Sequence, residues 1–118
     1  AIISPALSKT SLGIIAYGSS DGAVIEARDQ LEEQGIHIDY LRLRAFPFGD
    51  EVRDFLRSHD TVFVVEQNRD AQMKALLMLE ANDIADRLVS ILHYNGMPIP
   101  SDCVVNGVMQ HQGAEAAA

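Results

Sequence analysis

The sequence predicts an α/β fold in which a mostly parallel sheet is covered by helices on both faces. Two observations support this prediction. Short apolar runs alternate with segments of helical periodicity, and glycine or proline stands at several of the boundaries between them. The length of 118 residues is sufficient for one hydrophobic core. Because binding groups in such sheets lie beyond the carboxyl ends of the strands, the residues that follow each strand are the first candidates for a site.

Four segments carry the signals of strands. The segment 12–17 is a short apolar run closed by a glycine, and 61–65 is β-branched and aromatic throughout. The segment 36–43 alternates apolar and polar residues, and 88–92 (Leu-Val-Ser-Ile-Leu) is apolar except at Ser90. These four segments are predicted to form the sheet.

Three helices are predicted to connect the strands, over residues 21–34, 50–59 and 70–80. In the first helix, Val24, Ala27 and Leu31 lie at helical spacing. Ser20 or Asp21 can cap its start, and Gly35 suits a left-handed stop. In the second, we expect Val52, Phe55 and Leu56 to face inward. Residues 83–87 are predicted to be a short connection, and no confident element is predicted from residue 101 onward.

The composition excludes several classes of function. Asp and Glu number 17 against 9 Lys and Arg, so binding of nucleic acid through bulk charge is not expected at a net charge of -8. No apolar run approaches the roughly 18 residues needed to span a bilayer, and no signal-peptide pattern is present. The single Cys103 excludes an internal disulfide. A cytoplasmic location is the default expectation, and the scattered histidines predict no metal site.

The two ends of the chain are low in complexity, and we expect a piece of a longer protein or a chain with trimmed ends. Loss of an initiator methionine before Ala1 is the alternative. The predicted organisation is a linker or truncated edge strand over residues 1–11, one domain over 12–108 and a flexible tail over 109–118.

The loop at residues 18–22 reads Gly-Ser-Ser-Asp-Gly and fits the pattern G-x-S-x-G. In a serine hydrolase Ser20 would be the nucleophile. Its acid and histidine would be chosen from Asp60, Asp83, His93 and His111. A second alternative is a stand-alone flavodoxin-like domain that binds an anion or nucleotide at Ser19 and Ser20. The favoured interpretation is a tight turn and a helix cap, because so short a motif matches by chance.

A second polar group follows the strongest strand. Glu66, Gln67 and Asn68 come directly after four apolar strand residues, with Gln72 shortly beyond. A carboxylate at this edge of the sheet could serve in proton transfer. The favoured hypothesis is structural or interface use, in which Glu66 accepts hydrogen bonds from a loop or from the start of the next helix.

Four motifs together make the chain resemble the second domain of the alpha subunit of 2-oxoacid:ferredoxin oxidoreductases, which is related to the C-terminal domain of transketolase. The motifs are residues 15–20 (Ile-Ala-Tyr-Gly-Ser-Ser), 41–48 (Leu-Arg-Leu-Arg-Ala-Phe-Pro-Phe), 64–69 (Val-Val-Glu-Gln-Asn-Arg) with Gln72, and 93–98 (His-Tyr-Asn-Gly-Met-Pro). Ala71 departs from the glycine that the family carries there. The pattern looks most like the 2-oxoglutarate type, with pyruvate as the other substrate considered.

The resemblance implies a three-layer α/β/α sandwich with a mixed five-stranded sheet, whose antiparallel strand would come from residues 1–5. It implies a whole enzyme that decarboxylates a 2-oxoacid on thiamine diphosphate with magnesium, reduces ferredoxin through an iron–sulfur cluster and forms an acyl-coenzyme A. The implied partners are the thiamine-binding domain, the beta subunit, ferredoxin and coenzyme A.

For this chain itself the resemblance implies architecture and not catalysis, because the thiamine-binding motifs are absent and one cysteine cannot hold a cluster. No residue is expected to be catalytic or to bind a cofactor. The residues expected at an interface or at a ligand's edge are Ser19, Ser20, Pro47, Glu66, Gln67, Asn68 and Gln72. An exposed apolar patch and a homodimer of the chain through it are further expectations.

Overall fold

The computed structural model describes residues 2–6, 9–17, 20–43, 49–67, 72–93 and 99–117. Within these ranges the chain forms five strands, four α-helices and one 3₁₀ segment, Asn82–Arg87. The strands are β1 (Ile2–Ser4), β2 (Leu12–Tyr17), β3 (Asp39–Leu43), β4 (Thr61–Glu66) and β5 (Leu88–Leu92). The helices are α1 (Asp21–Glu33), α2 (Asp50–Arg57), α3 (Gln72–Glu80) and α4 (Ser101–Ala117).

The described strands form one sheet in the order β1-β3-β2-β4-β5. β2, β3, β4 and β5 run parallel, whereas β1 pairs antiparallel with β3 and places Ile3 opposite Leu41. The predicted α/β class is therefore confirmed. The antiparallel edge strand that the family resemblance implies at the start of the chain is confirmed as well.

Helices cover both faces of the sheet and bury two separate cores. One core joins the sheet to α2, α3 and the 3₁₀ segment, and the other joins it to α1 and α4. Side chains of a strand alternate between faces, so β4 serves both cores. Val62 and Val64 belong to the first core, and Phe63 and Val65 to the second.

Most predicted elements are present with small shifts at their ends. β2 and β5 match their predicted ranges, α1 ends at residue 33, and α2 ends at residue 57 and not at 59. β3 begins at Asp39, three residues later than predicted, and β4 extends to Glu66. The described part of α3 begins at Gln72, while residues 70 and 71 lie outside the described ranges.

The long helix α4 was not predicted from the sequence. It runs across residue 108, the predicted end of the domain, and the proposed division of the chain remains a prediction. Gly107 lies in the middle of this helix and lowers its helical propensity. A Cβ added at Gly107 would lie 2.8 Å from Ile91 Cδ1, so the glycine allows α4 to lie close against β5.

The prediction that Gly35 ends α1 in a left-handed conformation is confirmed. Gly35 has a φ of 80°, in the left-handed region that glycine favours. Its N–H donates to Glu32 O at 3.0 Å, and the N–H of Ile36 donates to Leu31 O at 2.9 Å. These two bonds satisfy carbonyls that the helix end would otherwise leave open.

Candidate functional site at the carboxyl edge of the sheet

The carboxyl ends of β2 and β4 lie side by side, because the two strands are parallel neighbours and Ala16 is in register with Val65. This edge brings Ser20, at the start of α1, close to Gln67, which follows β4. Gln67 Nε2 donates a hydrogen bond to Ser20 Oγ at 3.1 Å. This hydrogen bond joins the start of α1 to the end of β4, although the two residues are 47 positions apart in the sequence.

The carboxylate of Glu66 is buried at this edge, with 3% of the residue exposed. Its Oε1 accepts a hydrogen bond from Met73 N at 2.5 Å, and its Oε2 accepts one from Lys74 N at 3.2 Å. Both N–H groups belong to the first turn of α3 and have no partner within that helix. A negative charge is also favoured at a helix N-terminus. Glu66 therefore fastens the start of α3 to the end of β4.

Tyr17, the last residue of β2, responds to this buried charge. Burial raises the pKa of Tyr17, and the negative charge of Glu66 raises it further. The phenol therefore loses its proton only at a more alkaline pH than an ordinary tyrosine does.

Ser20 does not cap α1 as the sequence predicted. It occupies the N-cap position, but its side chain makes no capping hydrogen bond, and its φ of -100° and ψ of 1° lie outside the extended region usual for that position. The hydroxyl is buried and accepts the hydrogen bond from Gln67 instead. The prediction of a side-chain cap was wrong, because a tertiary partner took the hydroxyl.

The geometry does not support the serine hydrolase alternative. Asp60 lies before β4, at the amino end of the strand, whereas Ser20 lies at the carboxyl edge. Asp83 Oδ1 accepts a hydrogen bond from Arg57 Nη2 at 3.1 Å. The ring of His111 packs edge-on against Phe63 with centroids 5.4 Å apart. Asp83 and His111 are thus engaged elsewhere in the fold, and Asp60 lies at the other edge of the sheet.

A second polar connection holds α1 against β3. Tyr40 donates its phenol O–H to Asp21 Oδ1 at 2.8 Å, and Arg42 Nη1 lies 3.9 Å from Asp21 Oδ2. Burial raises the pKa of Tyr40 well above its usual value, and the hydrogen bond to Asp21 adds to the shift. No local sequence pattern predicts the pairing of Tyr40 with Asp21, since the two residues are 19 positions apart on different elements.

At the opposite, amino edge, His59 is buried with 5% of the residue exposed. Its Nε2 lies 2.8 Å from Asp39 Oδ2, and its Nδ1 lies 2.7 Å from Phe55 O. Asp39 Oδ1 accepts a hydrogen bond from Ala6 N at 2.8 Å. Ser58 Oγ is 3.1 Å from Nδ1, but the hydroxyl donates to Phe55 O at 3.0 Å. Because the ring faces an acceptor at each nitrogen, this is a structural clamp and not a Ser-His-Asp catalytic set.

Comparison with known proteins identifies the family of the chain. The profile of the pyruvate:ferredoxin oxidoreductase core domain II family matches residues 11–97. The chain belongs to this family. Among the residues predicted from the sequence to lie at an interface or at a ligand's edge, Ser19, Pro47 and Asn68 lie outside the described residues. Gln72 is the first residue described in α3.

Two curated relatives are alpha subunits of archaeal enzymes. The chain is 30% identical over 103 residues to 2-oxoacid:ferredoxin oxidoreductase 2, subunit alpha, of Aeropyrum pernix, covering 86% of this chain and 16% of that protein. It is 32% identical over 101 residues to the alpha subunit of 2-oxoacid:ferredoxin oxidoreductase of Saccharolobus solfataricus, covering 84% and 16%. The chain thus spans about 16% of the length of each relative.

Solved structures share the fold of core domain II. The chain is similar to 2-oxoglutarate:ferredoxin oxidoreductase from Magnetococcus marinus (TM-score 0.74, 21% identity), covering 92% of this chain and 19% of that one. It is similar to a split-gene transketolase in an inactive beta4 tetramer (TM-score 0.72, 15% identity, 92% and 41% covered). It also matches the alpha chain of a probable 2-oxoacid ferredoxin oxidoreductase from Thermoplasma acidophilum (TM-score 0.56, 25% identity, 93% and 94% covered).

The family implies an enzyme that uses thiamine diphosphate and iron–sulfur chemistry, but the residues of this chain do not fit those groups. A cluster needs several thiolates, and the chain has one cysteine, whose pKa is raised by burial in α4. The described residues contain no group of three or more His, Cys, Asp or Glu placed to hold a metal ion.

Among the described helices none is long and apolar enough to cross a membrane.

Proposed function

We propose that this chain is a non-catalytic interface domain of a 2-oxoacid:ferredoxin oxidoreductase alpha subunit. The family match and the two alpha-subunit relatives support the setting. The observation that carries the non-catalytic role is the engagement of Glu66. Its two carboxylate oxygens accept N–H groups of α3, and the residue is almost completely removed from solvent.

A proton carrier must exchange its proton with a reacting group, and it needs access to that group. Glu66 would have to give up the N–H bonds that hold α3 before it could accept a proton from outside the fold. Ser20 is likewise buried and bonded to Gln67. The polar side chains of this edge therefore position loops and helix ends.

The whole enzyme would oxidatively decarboxylate a 2-oxoacid to an acyl-coenzyme A with ferredoxin as electron acceptor, and we place 2-oxoglutarate first among its substrates. Thiamine diphosphate, magnesium and the iron–sulfur cluster would be held by other parts of the enzyme. The partners of this chain would be the thiamine-binding domain of the same subunit and the beta subunit. We place the enzyme in the cytoplasm, on the composition and single cysteine of the chain.

The test uses the polypeptide as its gene encodes it, purified with any subunit that accompanies it. Thiamine and iron contents are measured, together with ferredoxin reduction driven by a 2-oxoacid and coenzyme A. We expect both groups to be present and 2-oxoglutarate to support the reaction. A protein without thiamine and without this activity would contradict the proposed setting.

The non-catalytic role is tested separately with Glu66→Gln, and Glu33→Gln on the exposed end of α1 is the matched control. The expected kcat per folded enzyme stays within about threefold of wild type for both variants, since an acid–base catalyst is worth on the order of 100-fold or more. A 100-fold loss of kcat in Glu66→Gln, with thiamine content unchanged, would show that Glu66 is catalytic.

A further inference from the structure

Helix α3 presents an apolar surface to solvent in this chain. Its first turn carries the exposed Gln72 and the half-buried Lys74. Met73 and Leu77 are buried in the core beneath the helix, whereas the four exposed residues between positions 75 and 79 are uncharged. These four residues, which we call the α3 face, are Ala75, Leu76, Met78 and Leu79. Leu79 is 81% exposed. An apolar stripe on the outer side of a helix, away from the side that packs on the core, is normally covered by a partner.

The other exposed apolar side chains of the described residues lie among polar ones. Ile3 on β1 borders a cleft that Asp39 and Glu51 also line. Ile25 lies on α1 beside Glu26 and Asp29, which are also exposed. Met109 lies on α4 next to the exposed Gln110. Single apolar side chains among polar ones are normal on a protein surface, but a contiguous apolar face marks an interaction site.

Two observations argue against a second copy of the chain as the occupant of the α3 face. The α3 face spans five positions of the helix, so at about 1.5 Å per residue it is roughly 8 Å long and offers on the order of a few hundred Å² at most. Stable interfaces bury about 800 Å² on each partner. Each copy would also carry a net charge of -8, and two such copies repel one another.

A partner that is tethered to the chain does not have these difficulties. A covalent connection supplies a high effective concentration, so a small apolar contact suffices to hold the two surfaces together. The two curated alpha-subunit relatives extend far beyond this region, because this chain corresponds to only 16% of their length, whereas the Thermoplasma acidophilum chain is covered to 94%.

We infer that the α3 face docks on an uncharged, apolar surface of the remainder of the same alpha subunit. The inference rests on the proposed setting of the chain and adds the face by which it is held. Glu66 has a part in this docking as a positioning residue, since it fixes the first turn of α3 at the edge of the sheet. The exposed leucines are then presented by a helix whose start is anchored.

The test places a photo-crosslinking amino acid at position 79 in the polypeptide as its gene encodes it, in its native assembly. Position 25 on α1 is the control. We expect irradiation to join position 79 to a peptide of the same polypeptide outside this domain, identified by mass spectrometry, at a yield at least tenfold above that from position 25. Capture of a second copy or of another subunit would overturn the inference, as would the absence of any crosslink at position 79.

A second measurement does not depend on crosslinking chemistry. Met78 and Met109 are exposed to nearly the same extent, 37% and 38%. In a Cys103→Ala background, with labelling read at each introduced site by mass spectrometry of its own peptide, Met78→Cys is expected to react with a maleimide at least 50-fold more slowly than Met109→Cys in the native assembly, and at the same rate in urea. Equal native rates would overturn the inference.

The two proposals fail in different ways. If the enzyme reduces ferredoxin but position 79 does not crosslink and position 78 is not protected, the proposed function stands and the α3 docking is refuted. A protein that crosslinks position 79 within its own chain, yet has neither thiamine nor 2-oxoacid oxidation, keeps the docking and loses the proposed function.

Discussion

Helices α2 and α3 are nearly equal in length and pack into the same core on the same face of the sheet, yet they differ in what they show to solvent. α2 buries Val52, Phe55 and Leu56 at helical spacing. Its outer side carries the exposed acids Asp50 and Glu51. An amphipathic helix of this kind needs no further partner, because packing on the sheet already buries its apolar side chains.

α3 has a different distribution of apolar residues. It buries two of them, Met73 and Leu77, and leaves Leu76, Met78 and Leu79 exposed. The difference teaches that this fold buries the apolar residues of α2 but not those of α3, which is why we infer that α3 also serves a surface outside the fold. Four predictions test this comparison, from the largest expected effect to the smallest.

The largest effect is expected from truncating one leucine on each helix. In the 118-residue chain, Leu56→Ala should lower the free energy of unfolding by about 2–5 kcal/mol, because it opens a cavity in a fully buried site. Leu79→Ala should change it by about 0.5 kcal/mol or less, because that side chain is solvated here. Urea unfolding of both variants provides the measurement. Similar losses would mean that α3 packs as completely as α2.

The second prediction concerns the close packing of α2 on β2 at Gly13. A Cβ there would lie 2.8 Å from Phe55 Cε1 and 3.2 Å from His59 Cγ. Gly13→Ala is expected to cost about 1–3 kcal/mol through overpacking. The control is Gly22→Ala on α1, where an added Cβ meets nothing within 4 Å, and a gain of about 0.5–1 kcal/mol is expected there. A neutral result at Gly13 would show that α2 is loosely held.

The anchoring of α3 is probed by Glu66→Gln, which keeps the shape of the side chain and removes its charge. We expect a loss of about 0.5–2 kcal/mol, as for other lost helix caps. Amide hydrogen exchange should also accelerate in the first turn of α3 and remain unchanged in α2. The exposed Glu33→Gln variant should show neither effect. Unchanged exchange at Met73 and Lys74 would refute the anchoring.

The smallest effect concerns the link between α2 and the segment after α3. The hydrogen bond from Arg57 lowers the pKa of Asp83. A depressed pKa contributes stability above the usual aspartate value of about 3.9, and that stability is lost as pH falls through the lowered value. Asp83→Asn should therefore be slightly less stable than wild type at pH 6, with the difference vanishing as the pH falls below the lowered pKa or in 1 M salt. A difference that grows in acid would contradict this sign.

Prediction from sequence succeeded where local periodicity and burial agree. β2 and β5 were predicted with the correct ends, because a continuous apolar run bounded by polar residues has few other ways to pack. α4 was missed because Gly107 and Asn106 weaken its helical signal. The tertiary contact of Gly107 with Ile91 explains the glycine, and no window of sequence contains that contact.

The candidate site was predictable in part. The rule that parallel strands gather their carboxyl ends placed Ser20 and Gln67 at one edge, and the structure joins them. The structural hypothesis for Glu66 included the start of the next helix, which is where its carboxylate lies. The hydrogen bonds of Asp39 with His59 and with the N–H of Ala6 were not predicted, since they join three segments far apart in the chain.

The sequence by itself determined the class of the fold, the alternation of strands and helices and the family, because these depend on local apolar patterns and short motifs. Tertiary structure decided which polar groups became partners: Ser20 with Gln67, Glu66 with the first turn of α3, and Asp39 with His59. It also decided that the leucines of α3 divide between core and surface. The physical reason is that burial and hydrogen bonding are properties of neighbours in space, and the chain brings those neighbours together only when it folds.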